Sequence, residues 1–177
     1  MSTEKNSRAD RLTLHIPRRD ELWFRQALLA DPATMAYNAL WFPPNGCLPF
    51  PKPAWESWYE AWIGHAPERF YAYLQRLSDG IFVGEVNYRR SPDPDRFDIG
   101  IIVCAGQRGS GYGLEGLRLL LEHAFTVDGA ACLQNDFETT RDAAYRLHIA
   151  AGFRKVRVEN GIVRLELTQD EYLKKRP

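Results

Sequence analysis

No stretch of this chain is apolar for long enough to cross a membrane as a helix, and residues 1–10 are polar and charged with no apolar signal core. Cysteine is scarce: Cys47, Cys104 and Cys132 are odd in number and have neither metal-ligand nor disulfide-framework spacing. Reduced thiols, a cytoplasmic location and no membrane partner are the expectations. A basic excess is also lacking, because Lys plus Arg and Asp plus Glu both number 23. Nothing is left over to drive binding to a phosphate backbone, which excludes a nucleic-acid partner but not a local basic site for a phosphorylated small molecule. His15, His65 and His123 have no partners at ligand spacing, so no metal site is expected. There is no internal repeat and no low-complexity segment.

What is present is enough apolar material for a core: 45% of 177 residues. The reading is a disordered tail over residues 1–10 and one domain over residues 11–170. Leu12, Leu14 and Ile16 alternate with polar neighbours as in a strand, and a helix is expected over residues 20–30. Residues 37–53 carry Pro43, Pro44, Pro49, Pro51 and Pro53 among Trp41, Phe42 and Phe50, so they form a long aromatic loop. Trp55, Trp58, Tyr59 and Trp62 follow at helical spacing. Strands are expected over 70–75, 81–88, 97–104 and 130–137, helices over 114–125 and 141–151, and a closing hairpin over 154–167 around Asn160-Gly161. This order describes a mixed α/β sheet.

Between the strand ending at Cys104 and the next helix lies Gln107-Arg108-Gly109-Ser110-Gly111-Tyr112-Gly113. A helix N-terminus offers unpaired N–H groups and the positive end of its dipole, and glycine lets that backbone approach an anion. The segment is either a pyrophosphate cradle or an ordinary glycine-rich helix start. A P-loop is ruled out because Tyr112 stands where lysine is required. A dinucleotide fingerprint is met superficially by Gly111-x-Gly113-x-x-Gly116 and Asp136, but the strand ends too early and too little chain follows.

The run Ile99-Gly-Ile-Ile-Val103, Cys-Ala-Gly-Gln, Arg108-Gly-Ser-Gly-Tyr-Gly113 resembles the acetyl-CoA signature of the GNAT superfamily of N-acetyltransferases. Downstream, residues 138–153, with Ala144, Leu147, Gly152 and Phe153, resemble that family's second signature, Asn-x-x-Ala-x-x-Leu-Tyr-x-x-x-Gly-Phe. Both stand in the family's order. The resemblance implies a mostly antiparallel sheet flanked by helices, with splayed central strands. It also implies a homodimer, acetyl-CoA as co-substrate, and direct transfer of the acetyl group to an amine. Pantetheine would pair with the backbone of Ile102, Val103 and Cys104. Arg108, Gly109, Ser110, Gly111, Tyr112 and Gly113 would hold the pyrophosphate.

Two slots depart from the family pattern. His148 stands where the family has its tyrosine proton donor, with Tyr145 one turn earlier as a substitute; His148 is read either as an acid or as helix packing. Arg141 stands in the asparagine slot and could reach a phosphate or a substrate carboxylate. For the base, Glu85 ranks first because a carboxylate among β-branched neighbours needs a partner or a role. Parity puts it on the face shared with Val83 and Asn87. Asp98 ranks second, and a structural ion pair is the alternative for each. Tyr37 and Trp41 are candidates for the acceptor wall, whereas the Trp55–Trp62 stripe reads as core. The acceptor is a small-molecule or peptide amine of unassigned identity. The rival to catalysis is a CoA-binding sensor or scaffold on the same fold.

Overall fold

The computed structural model describes residues 11–175, so the tail expected over residues 1–10 lies outside the described residues. Seven strands form: β1 (Leu12–His15), β2 (Arg69–Arg76), β3 (Phe82–Arg90), β4 (Arg96–Val103), β5 (Cys132–Glu138), β6 (Arg154–Glu159) and β7 (Ile162–Thr168). They lie in the order β1-β2-β3-β4-β5-β7-β6, all antiparallel except β4 against β5. The helices are α1 (Trp23–Ala30), α2 (Pro32–Met35), α3 (Trp55–Trp62), α4 (Tyr112–Glu122), α5 (Asp142–Ala151) and α6 (Gln169–Lys174). This is the expected mixed sheet with helices on its faces.

Side-chain alternation divides the core. Phe70, Ala72 and Leu74 of β2, Val86 and Tyr88 of β3, and Phe97 and Ile99 of β4 point toward α4 and α5, where Leu117, Leu120 and Leu121 meet them. Tyr71 and Tyr73 point the other way, toward Phe24 and Leu28 of α1 and Trp58 and Trp62 of α3. Half of the α3 stripe therefore packs on the sheet: Trp58 and Trp62 meet Tyr71, whereas Trp55 and Tyr59 pack with Leu22, Met35 and Phe50, and none of the four is fully buried.

One feature of β3 breaks the parity argument. The β2–β3 register slips between Leu74 and Gln75, a bulge that places one extra residue on β3. Val83 consequently joins the α4 side while Phe82 joins the α1 side. Glu85 shares a face with Asn87 but not with Val83. Just after the bulge, a Cβ on Gly84 would stand 2.2 Å from the carbonyl oxygen of Ile102, so β3 and β4 approach this closely only without a side chain there.

Two short helices escape the periodicity reading. Asp31 accepts hydrogen bonds from the N–H groups of Ala33 and Thr34, with Pro32 in the first turn, which starts α2. Thr168 and Glu171 form a capping box that starts α6. The helix expected over 114–125 ends earlier, at Glu122, and passes into a π-helical turn at His123–Val127. The closing turn is as expected: Asn160 and Gly161 both have positive φ, +50° and +76°.

Candidate acyl-transfer site

The parallel pairing of β4 with β5 covers only three positions: Arg96, Phe97 and Asp98 against Cys132, Leu133 and Gln134. Beyond them the strands part, and β5 pairs only with β7. The open wedge runs along residues 99–103 of β4.

The β3–β4 ladder decides which amides face that wedge. Cys104 N–H donates to Val83 C=O and Ser91 N–H to Arg96 C=O, each at 2.9 Å. In an antiparallel ladder such narrow pairs alternate. The N–H groups of Asp98, Gly100, Ile102 and Cys104 therefore point at β3, while those of Ile101 and Val103 point into the wedge. Of the three strand positions expected to meet pantetheine, Val103 alone presents its amide there. Ile102 and Cys104 are turned away because the strand's period of two leaves them bonded to β3. Ile101, which the sequence reading passed over, takes their place, and strand parity alone could have found it once the neighbour of β4 was known.

At the wedge's wide end is the glycine loop. Gly109 and Gly111 have φ of +81° and +84°, which glycine adopts without steric cost. Among the described residues, the backbone N–H groups from Gly109 to Leu114 have no hydrogen-bond partner. They form a run of donors opening α4, the arrangement that holds a phosphate. A Cβ at Gly109 would meet nothing within 4 Å, so the cradle is open. The Ser110 carbonyl accepts from Arg11 Nη1 at 2.9 Å, which helps to set the loop's orientation. The Tyr112 side chain is buried in the core, so its backbone alone faces the cradle. Gly113 sits where α4, Val103 and Leu147 converge.

Arg108 does not point its charge into the cradle. Its guanidinium donates to the carbonyls of Val103 (3.2 Å), Ala33 (3.3 Å) and Thr34 (2.8 Å), and Ala105 N–H donates to Thr34 Oγ1 at 2.9 Å. It is a strut between the loop and the C-terminal end of α2, where carbonyls lack helical partners. Nothing in its spacing from Thr34 reveals this contact. Cys104 is half-buried, and burial pushes its thiol up, so it stays protonated.

Glu85 is buried, at 2% exposure, and both its oxygens are engaged. Arg25 Nη1 donates to Oε1 at 2.7 Å and Oε2 at 2.8 Å, and the Tyr71 hydroxyl donates to Oε2. Burial opposes the Arg25 charge, but the Glu85 carboxylate outweighs it and holds the guanidinium above its usual range. Burial also raises the Tyr71 phenol, with the neighbouring Glu85 charge acting in the same direction. The geometry is that of a closed ion pair, the alternative the sequence left open. Asp98 differs: it is the last β4 residue paired with β5, at the vertex of the wedge, and among the described residues only its Oδ1 is engaged, by Gln134 Nε2 at 2.8 Å.

His148 is 1% exposed and packs against Phe137 and Phe153. Its Nδ1 lies 2.7 Å from the carbonyl of Ala144, which can only accept, so Nδ1 carries the proton. Nε2 lies 3.0 Å from Asn135 Nδ2 and accepts from it. Burial lowers the imidazole's pKa; the Ala144 bond opposes this and Arg141 adds to it. The ring is neutral with both nitrogens engaged, which leaves it no proton to deliver. Tyr145 is half-buried beside the α4-side core.

The aromatic loop reaches the same region. Arg141 stacks over Tyr37, 4.4 Å from the ring centroid, and pairs with Glu138 at 3.7 Å. Trp41 Nε1 donates to Glu138 Oε1 at 2.5 Å. Tyr37 and Trp41 thus lie over the end of β5 and the start of α5, on the wedge's β5 side. On the α1 and α3 face, a cavity of about 230 Å³ includes Arg25, Trp58, Asn87, Arg89 and Asp98 in its lining.

Comparison with known proteins places this geometry. The family described as acetyltransferase (GNAT) domain matches residues 11–154. A spermidine N-acetyltransferase from Vibrio cholerae, solved in complex with CoA and spermine, is similar with a TM-score of 0.75 at 20% identity, over 92% of this chain and 98% of that one. An acetyltransferase of the GNAT family from Bacillus anthracis is similar with a TM-score of 0.72 at 14% identity, over 92% and 98%. No curated protein matches the sequence.

Proposed function

This chain belongs to the GNAT acetyltransferase family, and from that premise we propose that it transfers an acetyl group from acetyl-CoA to an amine by direct attack. The observation that carries the reading is the continuity of two donor sets: the unpaired amides from Gly109 to Leu114, and the Ile101 and Val103 amides facing the wedge. The first set fits a pyrophosphate and the second an extended amide chain ending in a thioester. CoA supplies the activated acyl group as a good leaving thiolate.

The chain's own residues do the rest. The Ile101 N–H is placed to stabilise negative charge on a carbonyl oxygen held in the wedge. Asp98 accepts a proton from the incoming ammonium at the vertex, and Gln134 orients its carboxylate. The amine lone pair then forms the C–N bond, the C–S bond breaks, and the thiolate takes up a proton. The net products are amide, free thiol and one proton. Tyr145 is the proposed source of the thiolate's proton, with His148 as a positioning residue that fixes α5 against β5 through Asn135. Tyr37 and Trp41 border the acceptor, and Arg141 lies within reach of a phosphate. A homodimer and a cytoplasmic setting complete the proposal.

The bound state of His148 favours one rival, a CoA sensor without turnover. Calorimetric titration with acetyl-CoA, followed by an amine panel read by thiol release, tests both readings. Micromolar saturable binding with thiol release supports the enzyme; binding without release from any amine supports the sensor. Asp98→Asn keeps the contact to Gln134 and is expected to lower turnover by about 10²–10⁴-fold with CoA affinity unchanged. An unchanged rate removes Asp98 from the base role.

A further inference from the structure

On the proposed function as premise, we infer that the acceptor is an α-amino acid with an apolar side chain, bound in the cavity beside the vertex of the wedge. The cavity holds about 230 Å³, below the size of sites for drug-sized ligands, which suits a small acceptor. Three features of its lining select the class.

The first is an unclosed pair. Arg89 and Asp98 face each other across the β3–β4 ladder as cross-strand neighbours on the same side of the sheet. Opposite charges in that relation ordinarily bond. Among the described residues they do not, because Asp98 Oδ1 turns to Gln134 Nε2. Arg89 is exposed and has no ion pair among the described residues. A cation and an anion held apart at the rim of one cavity match the carboxylate and the amine of a zwitterion, groups on adjacent bonds of one carbon. Asp98 then receives the amine at the vertex of the wedge.

The second is the state of the aromatic wall. Trp58 and Trp62 stack with centroids 6.0 Å apart. An aromatic wall of this kind attracts a substrate ammonium, but here it already holds one of the protein's own cations. The Arg25 guanidinium lies 4.6 Å from the Trp58 ring and is neutralised by Glu85. What the wall still offers is apolar surface for a side chain. The third is the acid count: Asp98 is the single carboxylate among the described lining residues. A polyamine carries several ammonium groups and would find a single carboxylate, Asp98, beside the unpaired cation of Arg89, because the Glu85 charge is already taken by Arg25. Asn87, between the two strands' charges, supplies a neutral donor and acceptor.

The test uses the full chain with saturating acetyl-CoA and four acceptors: phenylalanine, phenylalanine amide, phenethylamine and spermidine. Thiol release is expected to give phenylalanine a kcat/KM at least about ten-fold above each of the others, the scale of one charge-assisted hydrogen bond. Arg89→Ala is expected to bring phenylalanine, its amide and phenethylamine together by raising the KM of phenylalanine alone. Equal use of the three by the unaltered protein, or spermidine as the best acceptor, overturns the inference and leaves the acetyltransferase reading standing. If acetyl-CoA binds and no acceptor releases thiol, titration of the CoA-loaded protein decides. Phenylalanine binding no tighter than phenethylamine overturns the site, and tighter binding lost in Arg89→Ala supports it. Failure to bind acetyl-CoA overturns the parent reading and this one together.

Discussion

His148 is neutral because it is buried, and that has a pH consequence. Its folded pKa lies below the ordinary 6.5, so below that pH the unfolded chain binds the extra proton and the folded chain resists it. The stability contributed by the neutral ring is fully present above about pH 6.5 and is lost as pH falls toward the lowered value. Urea midpoints measured between pH 8 and 5 are expected to fall, and His148→Gln, which does not titrate, is expected to flatten that fall. Arg25 and Glu85 make a second case. Arg25→Met would leave a buried carboxylate unpaired, at a cost of about 3–5 kcal/mol by urea unfolding. Glu85→Leu on that background is expected to recover most of it, and no recovery would mean that Arg25 acts through packing alone. The sequence shows Glu85 as an acid in an apolar strand, but its partner stands 60 residues upstream. Periodicity carries no information about such a contact. The family slot of His148 was legible in the same way, while the locks on its two nitrogens, from Ala144 and Asn135, depend on how α5 rolls against β5.

Elements with strong local signals were legible: the α3 stripe, the Asn160-Gly161 hairpin, the glycine loop opening α4, and Gly152 ending α5 with φ +108°. The bulge in β3 was not, because one extra residue leaves the apolar pattern continuous while it swaps the faces that Val83 and Phe82 occupy relative to Glu85. The α2 helix had a signal, Asp31-Pro32 with Thr34, too short for a periodicity reading. The glycine loop is where a substitution separates binding from folding. Gly111→Glu puts a side chain at positive φ and a negative charge among the cradle's amides. Acetyl-CoA affinity is expected to drop beyond about a hundred-fold, against a stability loss of about 1–2 kcal/mol from the backbone. Undiminished affinity by calorimetry would remove the loop from the site.

At the scale of the molecule, the sheet is two half-sheets, β1 to β4 and β5 to β7, sharing three residue pairs. A ligand lying in the wedge would touch both. With acetyl-CoA at about 100 times its dissociation constant, linkage adds about 2.7 kcal/mol of stability. For a chain of this size that is an upward shift of about 5–10 °C in the melting temperature. Calorimetric scans with and without the ligand read it directly, and coincident scans would mean that the folded chain does not bind acetyl-CoA at that concentration.

The narrowness of that shared seam has a practical side. The turn at Asp128 and Gly129 falls between the half-sheets, just ahead of β5, and Gly129 has open space around it. A chain cut there would give two fragments, each with its own half-sheet complete and neither with a whole wedge. Fused to separate halves of a luminescent reporter, such fragments would make a light-emitting gauge of acetyl-CoA, with the metabolite itself as the clasp.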